Sequence, residues 1–147
     1  MEDRFKSFTF LIHSIAKKIL KIKTEEMMRL NLKSVHVTCL YYLYKDKELT
    51  AKELSVACGE DKAAISRSID YLEKQGLVCC DSISEKRYKS KLELTAMGKE
   101  IGCFVAQKID TMVNLASEGI SEEYRGILYE CLAMIDKNLE NILKELK

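Results

Sequence analysis

The sequence predicts a mainly α fold, α+β only in that its helices are interrupted by one two-stranded hairpin. Three observations carry this reading. Apolar residues recur at three-and-four spacing through most of the chain, capping residues stand where those stripes begin, and one stretch, Leu77 to Thr95, switches to alternation. Proline is absent from all 147 residues, which suits long unbroken helices. A hydrophobic fraction of 47% beside 32% charged residues is that of a globular chain with one sizeable core and large solvated helix faces. No apolar run approaches the length that spans a bilayer, and the opening MEDRFKSF has an acidic pair where a secretory signal is basic. The expected location is the cytoplasm, with no membrane partner.

Taken in order, the first helix is expected over Arg4 to Lys23, with Phe5, Phe8, Ile12, Ile15, Ile19 and Ile22 in one stripe. Phe10, Leu11 and Leu20 widen that stripe beyond what packing on one side requires, so the helix is expected to bury against a second subunit. A second helix, Val35 to Lys45, places His36, Leu40 and Leu43 on one face. Thr50 to Leu77 then reads as two short helices joined by a tight turn. Thr50 and Glu53 form a T-x-x-E capping box for the first of them, which carries Leu54 and Ala57 inward and stops at Cys58-Gly59-Glu60. Asp61 caps the next helix, which Gly76 ends.

At about 100° per residue, Ile65, Ile69 and Leu72 fall on the inner stripe of that helix and Ala63, Ser66, Arg67, Asp70 and Lys74 on the outer side. A small residue, a hydroxyl and a guanidinium in the opening turns are the side chains that read base edges in a major groove. Arginine can bond guanine through two parallel hydrogen bonds, serine a base or phosphate, and alanine allows close approach. Asp70 would repel phosphates and is expected to orient Arg67 or a lysine. A helical hairpin with charges outside is common in small helical proteins, so this segment alone does not decide the function.

The hairpin that follows shifts the balance. Leu92 and Leu94 alternate with Lys91 and Glu93, and Lys86, Arg87, Lys89 and Lys91 bring positive charge to its turn. Behind a reading helix, such a hairpin can reach a neighbouring minor groove or its phosphates. Thr95 is expected to cap a long helix through Met97, Ile101, Phe104, Val105, Ile109, Met112 and Ala116, closed by Gly119. Ser121, with Glu122 and Glu123 in the first turn, starts a last helix with the stripe Tyr124, Leu128, Cys131, Ile135, Leu139, Ile142 and Leu146. Terminal helices with sustained apolar stripes argue for a homodimer, whose twofold symmetry matches a palindromic DNA site.

Other chemistry finds little support. The formal net charge is only +1, with basic residues gathered in the hairpin and at Lys17 to Lys23. No nucleophile with its base, carboxylate pair in a recognisable loop or glycine-rich phosphate cradle stands out, so an enzyme is not expected, nor any cofactor. Six cysteines, at 39, 58, 79, 80, 103 and 131, read as reduced thiols in a cytosolic chain. Cys79 and Cys80 are adjacent on a strand, and Cys39, Cys103 and Cys131 occupy largely apolar helical positions, where packing is the ordinary role. The only histidines are His13 and His36. His36 and Cys39 are one helical turn apart, but a histidine satisfied by a neighbour is favoured over a metal site.

These motifs resemble the MarR family of bacterial winged-helix transcription regulators. The resemblance covers essentially the whole chain and is carried by LTAKEL at 49 to 54, DKAAISRSIDYLEKQGLV at 61 to 78, the basic hairpin and LTAMGKE at 94 to 100. It implies one domain, with residues 1–30 and 100–147 as dimerisation helices around a winged helix-turn-helix at 33–98. It also implies DNA contacts from Lys62, Ala63, Ser66 and Arg67 on the recognition helix, from Thr50 near backbone phosphates, and from Lys86, Arg87 and Lys89 in the wing. A repressor responsive to a small, often aromatic, effector is the implied behaviour, with Phe8, Ile12, His36, Leu40 and Tyr41 as the candidate effector residues. The chain departs from the family pattern at Cys80, where an arginine is usual. At the wing tip, Lys86 and Tyr88 replace the ends of the D-x-R motif, and Arg87 is left for the minor groove. A thiol-redox-responsive regulator and a winged-helix interaction module without DNA binding are the alternatives.

Overall fold

The structure, a computed structural model, describes residues 3–80 and 89–147, apart from the side chain of Phe5. The chain divides into two compact units, Met1–Ile109 and Asp110–Lys147, and the division falls inside its fifth helix.

The first unit opens with α1, Arg4–Met27, whose N-terminus is capped by the Asp3 carboxylate accepting from the Lys6 N–H at 3.2 Å. It runs about a turn beyond the expected end at Lys23. The Thr24 hydroxyl folds back to the Leu20 carbonyl instead of competing for a cap, and Met27, 1% exposed, anchors the last turn in the core. A short 3₁₀ turn, Met28–Leu30, and a left-handed Asn31 then break the chain before α2, Ser34–Lys45. At the start of α2 the Lys33 N–H donates to Nδ1 of His36 at 3.1 Å, an imidazole doing the work usually given to a glutamate.

The predicted capping box of α3, Ala51–Cys58, is present: the Thr50 N–H donates to Glu53 Oε2 at 2.8 Å and the Glu53 N–H to Thr50 Oγ1 at 3.2 Å. Gly59, at φ 64°, turns the chain into α4, Lys62–Lys74, where Asp61 accepts from the Ala64 N–H at 2.7 Å. Strands β1, Val78–Cys80, and β2, Leu92–Leu94, pair antiparallel with Cys79 opposite Glu93. Leu92 also donates its N–H to the Leu49 carbonyl at 2.9 Å, and Thr50 bridges Lys91, so the segment before α3 lies against the free edge of β2. That third line of pairing was not anticipated, and it ties the hairpin to the helix-turn-helix through backbone bonds.

Leu40, Leu54, Ile65, Leu72, Leu92 and Val105 form the centre of one core, each at most 2% exposed. Burial of each such side chain contributes about 1.5–3 kcal/mol. α5, Ala96–Ala116, joins this core through a tight approach. The Thr95 hydroxyl donates to the Gly76 carbonyl at 2.6 Å and accepts from the Gly98 N–H at 3.0 Å, as the predicted cap requires. A Cβ on Gly98 would stand 1.9 Å from the Leu77 carbonyl oxygen, so glycine is what lets α5 start against the strand.

In the second unit, α5 ends at Ala116, and Ser121 accepts from the Tyr124 N–H at 3.3 Å to begin α6, Glu122–Glu145. No residue of α6 is buried.

Candidate nucleic-acid interface

α4 is amphipathic in the sense the sequence required. Ile65, Ser68, Ile69 and Leu72 are buried, while Lys62, Ala63, Ser66 and Arg67 are exposed along the opening turns. The separation follows from spacing: the inner residues recur every three or four positions, which leaves 62–63 and 66–67 pointing outward. Ser68 is inside without penalty because its hydroxyl donates to the Ala64 carbonyl at 2.9 Å. The two serines of the S-R-S run thus do different things. Ser66 presents a hydroxyl to solvent and Ser68 spends its own on the helix.

Thr50 sits at the N-terminus of α3 with its hydroxyl already engaged, accepting from the Glu53 N–H and lying 3.0 Å from Glu53 Oε2. These bonds hold the Glu53 carboxyl below the usual carboxylate range, with the Thr50 backbone N–H as the main cause. A phosphate approaching here meets a carboxylate that the threonine has drawn into place, so Thr50 shapes the helix end before it contacts anything.

The wing charges divide. Lys86 and Arg87 lie outside the described residues, and Lys89 is exposed. Lys91 does not belong with them at the tip. It stands one residue before β2, bridged to Thr50, and its ammonium meets Glu48 at 2.7 Å. The contact lowers the Glu48 pKa and raises that of Lys91, through their shared hydrogen bond first and their charges second. Both groups are solvated, so the pair orients the start of β2 more than it stabilises it. Glu48 itself adopts φ 70°, a left-handed conformation that turns the chain toward β2.

The candidate effector residues are spread over different environments. Phe8 and Ile12 on α1 are 40% and 38% exposed, Tyr41 is half-buried, and Leu40 is closed off at 0%. His36, 6% exposed, stacks on Tyr71 with ring centroids 4.3 Å apart, and the Tyr71 hydroxyl donates to the Asn31 carbonyl at 2.6 Å. Burial, followed by the nearby Lys33 charge, lowers the His36 pKa, as its acceptor role demands. A cleft of about 540 Å³ opens elsewhere, lined among others by Tyr44, Lys45, Lys47, Glu48, Leu94 and Lys99, and none of the five candidates borders it. Among the described residues no group of three or more histidine, cysteine or acidic side chains could hold a metal.

One relation escaped the sequence. Cys39 and Cys58, 19 positions apart, bring their sulfurs to 4.0 Å where α2 packs on α3. Helical spacing put Cys39 at an apolar position and left Cys58 in the turn, so nothing in the spacing paired one with the other.

A helix-turn-helix whose second helix presents an exposed polar face, followed by an antiparallel hairpin tied to its root, is a winged helix-turn-helix. Residues 30–82, which include α2 to α4, match the model of the MarR family. An uncharacterised HTH-type transcriptional regulator of Bacillus subtilis, YfiV, is 26% identical over 120 residues, covering 82% of this chain and 75% of that protein. A MarR family regulator from Neisseria meningitidis superposes with a TM-score of 0.85 at 19% identity, covering 99% of both chains. A MarR family transcriptional regulator of Listeria monocytogenes, complexed with 26mer DNA, gives 0.79 at 22% identity over 96% of this chain and 91% of that one. The chain is thus similar to the MarR family over residues 30–82 and shares the fold of its solved members. No helix among the described residues is long and apolar enough to cross a membrane.

Proposed function

We propose that the protein is a homodimeric, sequence-specific double-stranded DNA-binding repressor that acts by occluding a promoter. The observation that carries this reading is the exposed Ala63, Ser66 and Arg67 on the opening turns of α4, backed by a buried stripe that fixes their direction. Arg67 would read guanine, Ser66 a base or phosphate, and Lys62 with the wing residues Lys86, Arg87 and Lys89 would anchor phosphates. The DNA complex of the Listeria relative supports the same use of the fold.

Dimerisation is supported by apolar surface that the single chain leaves open. On α1, Phe10, Leu11, Ile15 and Leu20 are each more than half exposed, and on α6 so are Tyr124, Met134, Ile142 and Leu143. Repeated exposed apolar side chains along a helix, on each of these two helices, are what an association site offers. Effector response belongs to the same proposal. Phe8, Ile12 and Tyr41 keep surface for a flat aromatic ligand, whereas Leu40 would act only as the wall behind it.

Binding to an inverted repeat from the DNA beside the gene, measured by gel shift at two salt concentrations, tests the proposal. Affinity should fall steeply with salt. Arg67→Ala should cost roughly 1–3 kcal/mol on the preferred site and little on random DNA. Equal losses on both would remove base reading from the mechanism.

A further inference from the structure

We propose that Cys39 and Cys58 are a peroxide-responsive dithiol pair whose closure to a disulfide displaces the turn of the helix-turn-helix and weakens DNA binding; the regulatory half rests on the DNA-binding reading above. Three independent features meet at this pair. The sulfurs are 4.0 Å apart, so bond formation at about 2.05 Å requires them to close by about 2 Å. Cys39 is fully buried within α2, whereas Cys58 is partly exposed as the last residue of α3, so only one of the two can meet an oxidant. The ammonium of Lys23 on α1 donates to Thr38 Oγ1 at 2.8 Å, which holds a cation next to the residue that precedes Cys39.

Inert packing of two thiols needs no cation beside it. Burial lowers the Lys23 pKa, a desolvation cost that the Cys58 charge offsets in part. The contact with Cys39 is the main influence lowering the Cys58 pKa, with burial and Glu60 opposing and Lys23 helping. Cys39, sharing that contact from the core, is pushed up. The C-terminal end of α3 disfavours a thiolate at Cys58, so the neighbouring thiol and cation are what make it reactive.

The chemistry balances with a hydroperoxide as oxidant. The Cys58 thiolate attacks the terminal peroxide oxygen, the O–O bond breaks, and the departing alkoxide takes a proton to leave as an alcohol. Cys58 is then a sulfenic acid. The Cys39 sulfur attacks the Cys58 sulfur, the S–O bond breaks, and water leaves with the thiol proton. Two thiols and one hydroperoxide give a disulfide, an alcohol and water.

The fold couples this bond to the reading helix. Gly59 follows Cys58 directly, and the turn is braced by the Ser55 hydroxyl on the Glu60 carbonyl at 2.6 Å and by the Glu60 N–H on the Ser55 carbonyl at 3.2 Å. Movement of Cys58 therefore passes to Asp61, the cap of α4.

The test treats the full-length reduced protein with cumene hydroperoxide. Two of the six thiols should be lost per chain, and tryptic peptides 34–45 and 53–62 should appear linked. Cys39→Ala should stop at a Cys58 sulfenic acid trapped by dimedone. DNA affinity should drop at least tenfold on oxidation and return with dithiothreitol, and Cys58→Ala should bind DNA without responding. Six surviving thiols, or a disulfide mapped to other cysteines, would overturn the chemistry even if both variants failed to fold. A mapped Cys39–Cys58 disulfide with unchanged DNA affinity would overturn the regulation. A reduced protein without salt-sensitive DNA affinity would instead overturn the function proposed above, and with it the regulation, while the peptide map still decides the chemistry.

Discussion

The two compact units solve the same problem in opposite ways. In the first, helices of eight to thirteen residues, α3, α4 and α2, close around a shared core in which Leu40, Leu54, Ile65 and Leu72 have no exposed surface. In the second, a 24-residue helix with a comparable share of apolar residues buries none of them within the chain. Short helices are marginal alone and depend on tertiary packing. The first unit supplies that packing from its own sequence, and α6 keeps its apolar residues on the surface. The difference teaches that the core of the first unit and the apolar face of α6 can be perturbed separately.

The largest effect is expected inside the first unit. Leu54→Ala should cost about 2–5 kcal/mol, read as a lowered urea midpoint, because a fully buried leucine leaves a cavity. Gly98→Ala should cost about 1–3 kcal/mol, toward the upper end, since its methyl group would strike backbone at Leu77 and not a yielding side chain. An unchanged midpoint would mean that α5 can lift from the strand freely. On the other side of the comparison, Leu139→Glu on α6 should weaken self-association roughly tenfold or more in sedimentation, about 1.4 kcal/mol, while leaving the fold of residues 3–109 in place. Collapse of that fold at low concentration would show that the first unit also depends on self-association.

The smallest expected effect is a pH dependence. His36 has a pKa lowered on folding, so the unfolded chain binds the extra proton first and folding stability rises with pH across that window. The contribution is complete above the ordinary histidine value near 6.5 and is lost as pH falls through the lower folded value. Protonation also removes the acceptor that caps α2. The urea midpoint should therefore drop modestly between pH 7.5 and 5.5, and His36→Gln, which can still accept from Lys33, should flatten that part of the profile. An equal slope in the variant would place the proton elsewhere.

Much of this molecule was legible in its residues because the decisive features are local. Thr50 with Glu53, Asp61, Thr95 and Ser121 are caps whose partners lie three residues away, so helix starts could be read from short windows. The outward direction of Ser66 and Arg67 follows from the same helical period that buries Ile65 and Ile69. The 3₁₀ break at Met28–Leu30 was less legible, since it carries neither glycine nor proline and is held by the burial of Met27 and Leu32 on either side.

What the sequence by itself determined is therefore the main helices and the hairpin, the caps at Thr50, Asp61, Thr95 and Ser121, and the apolar face of each helix, all consequences of spacing within a few residues. Only the tertiary structure decided that Lys91 meets Glu48, that the segment before α3 pairs with β2, and that Cys39 faces Cys58. Those contacts join residues 19 to 43 positions apart. Periodicity gives each helix or strand its inner face, but the partner that face meets depends on how separate elements cross and register, which no local window contains.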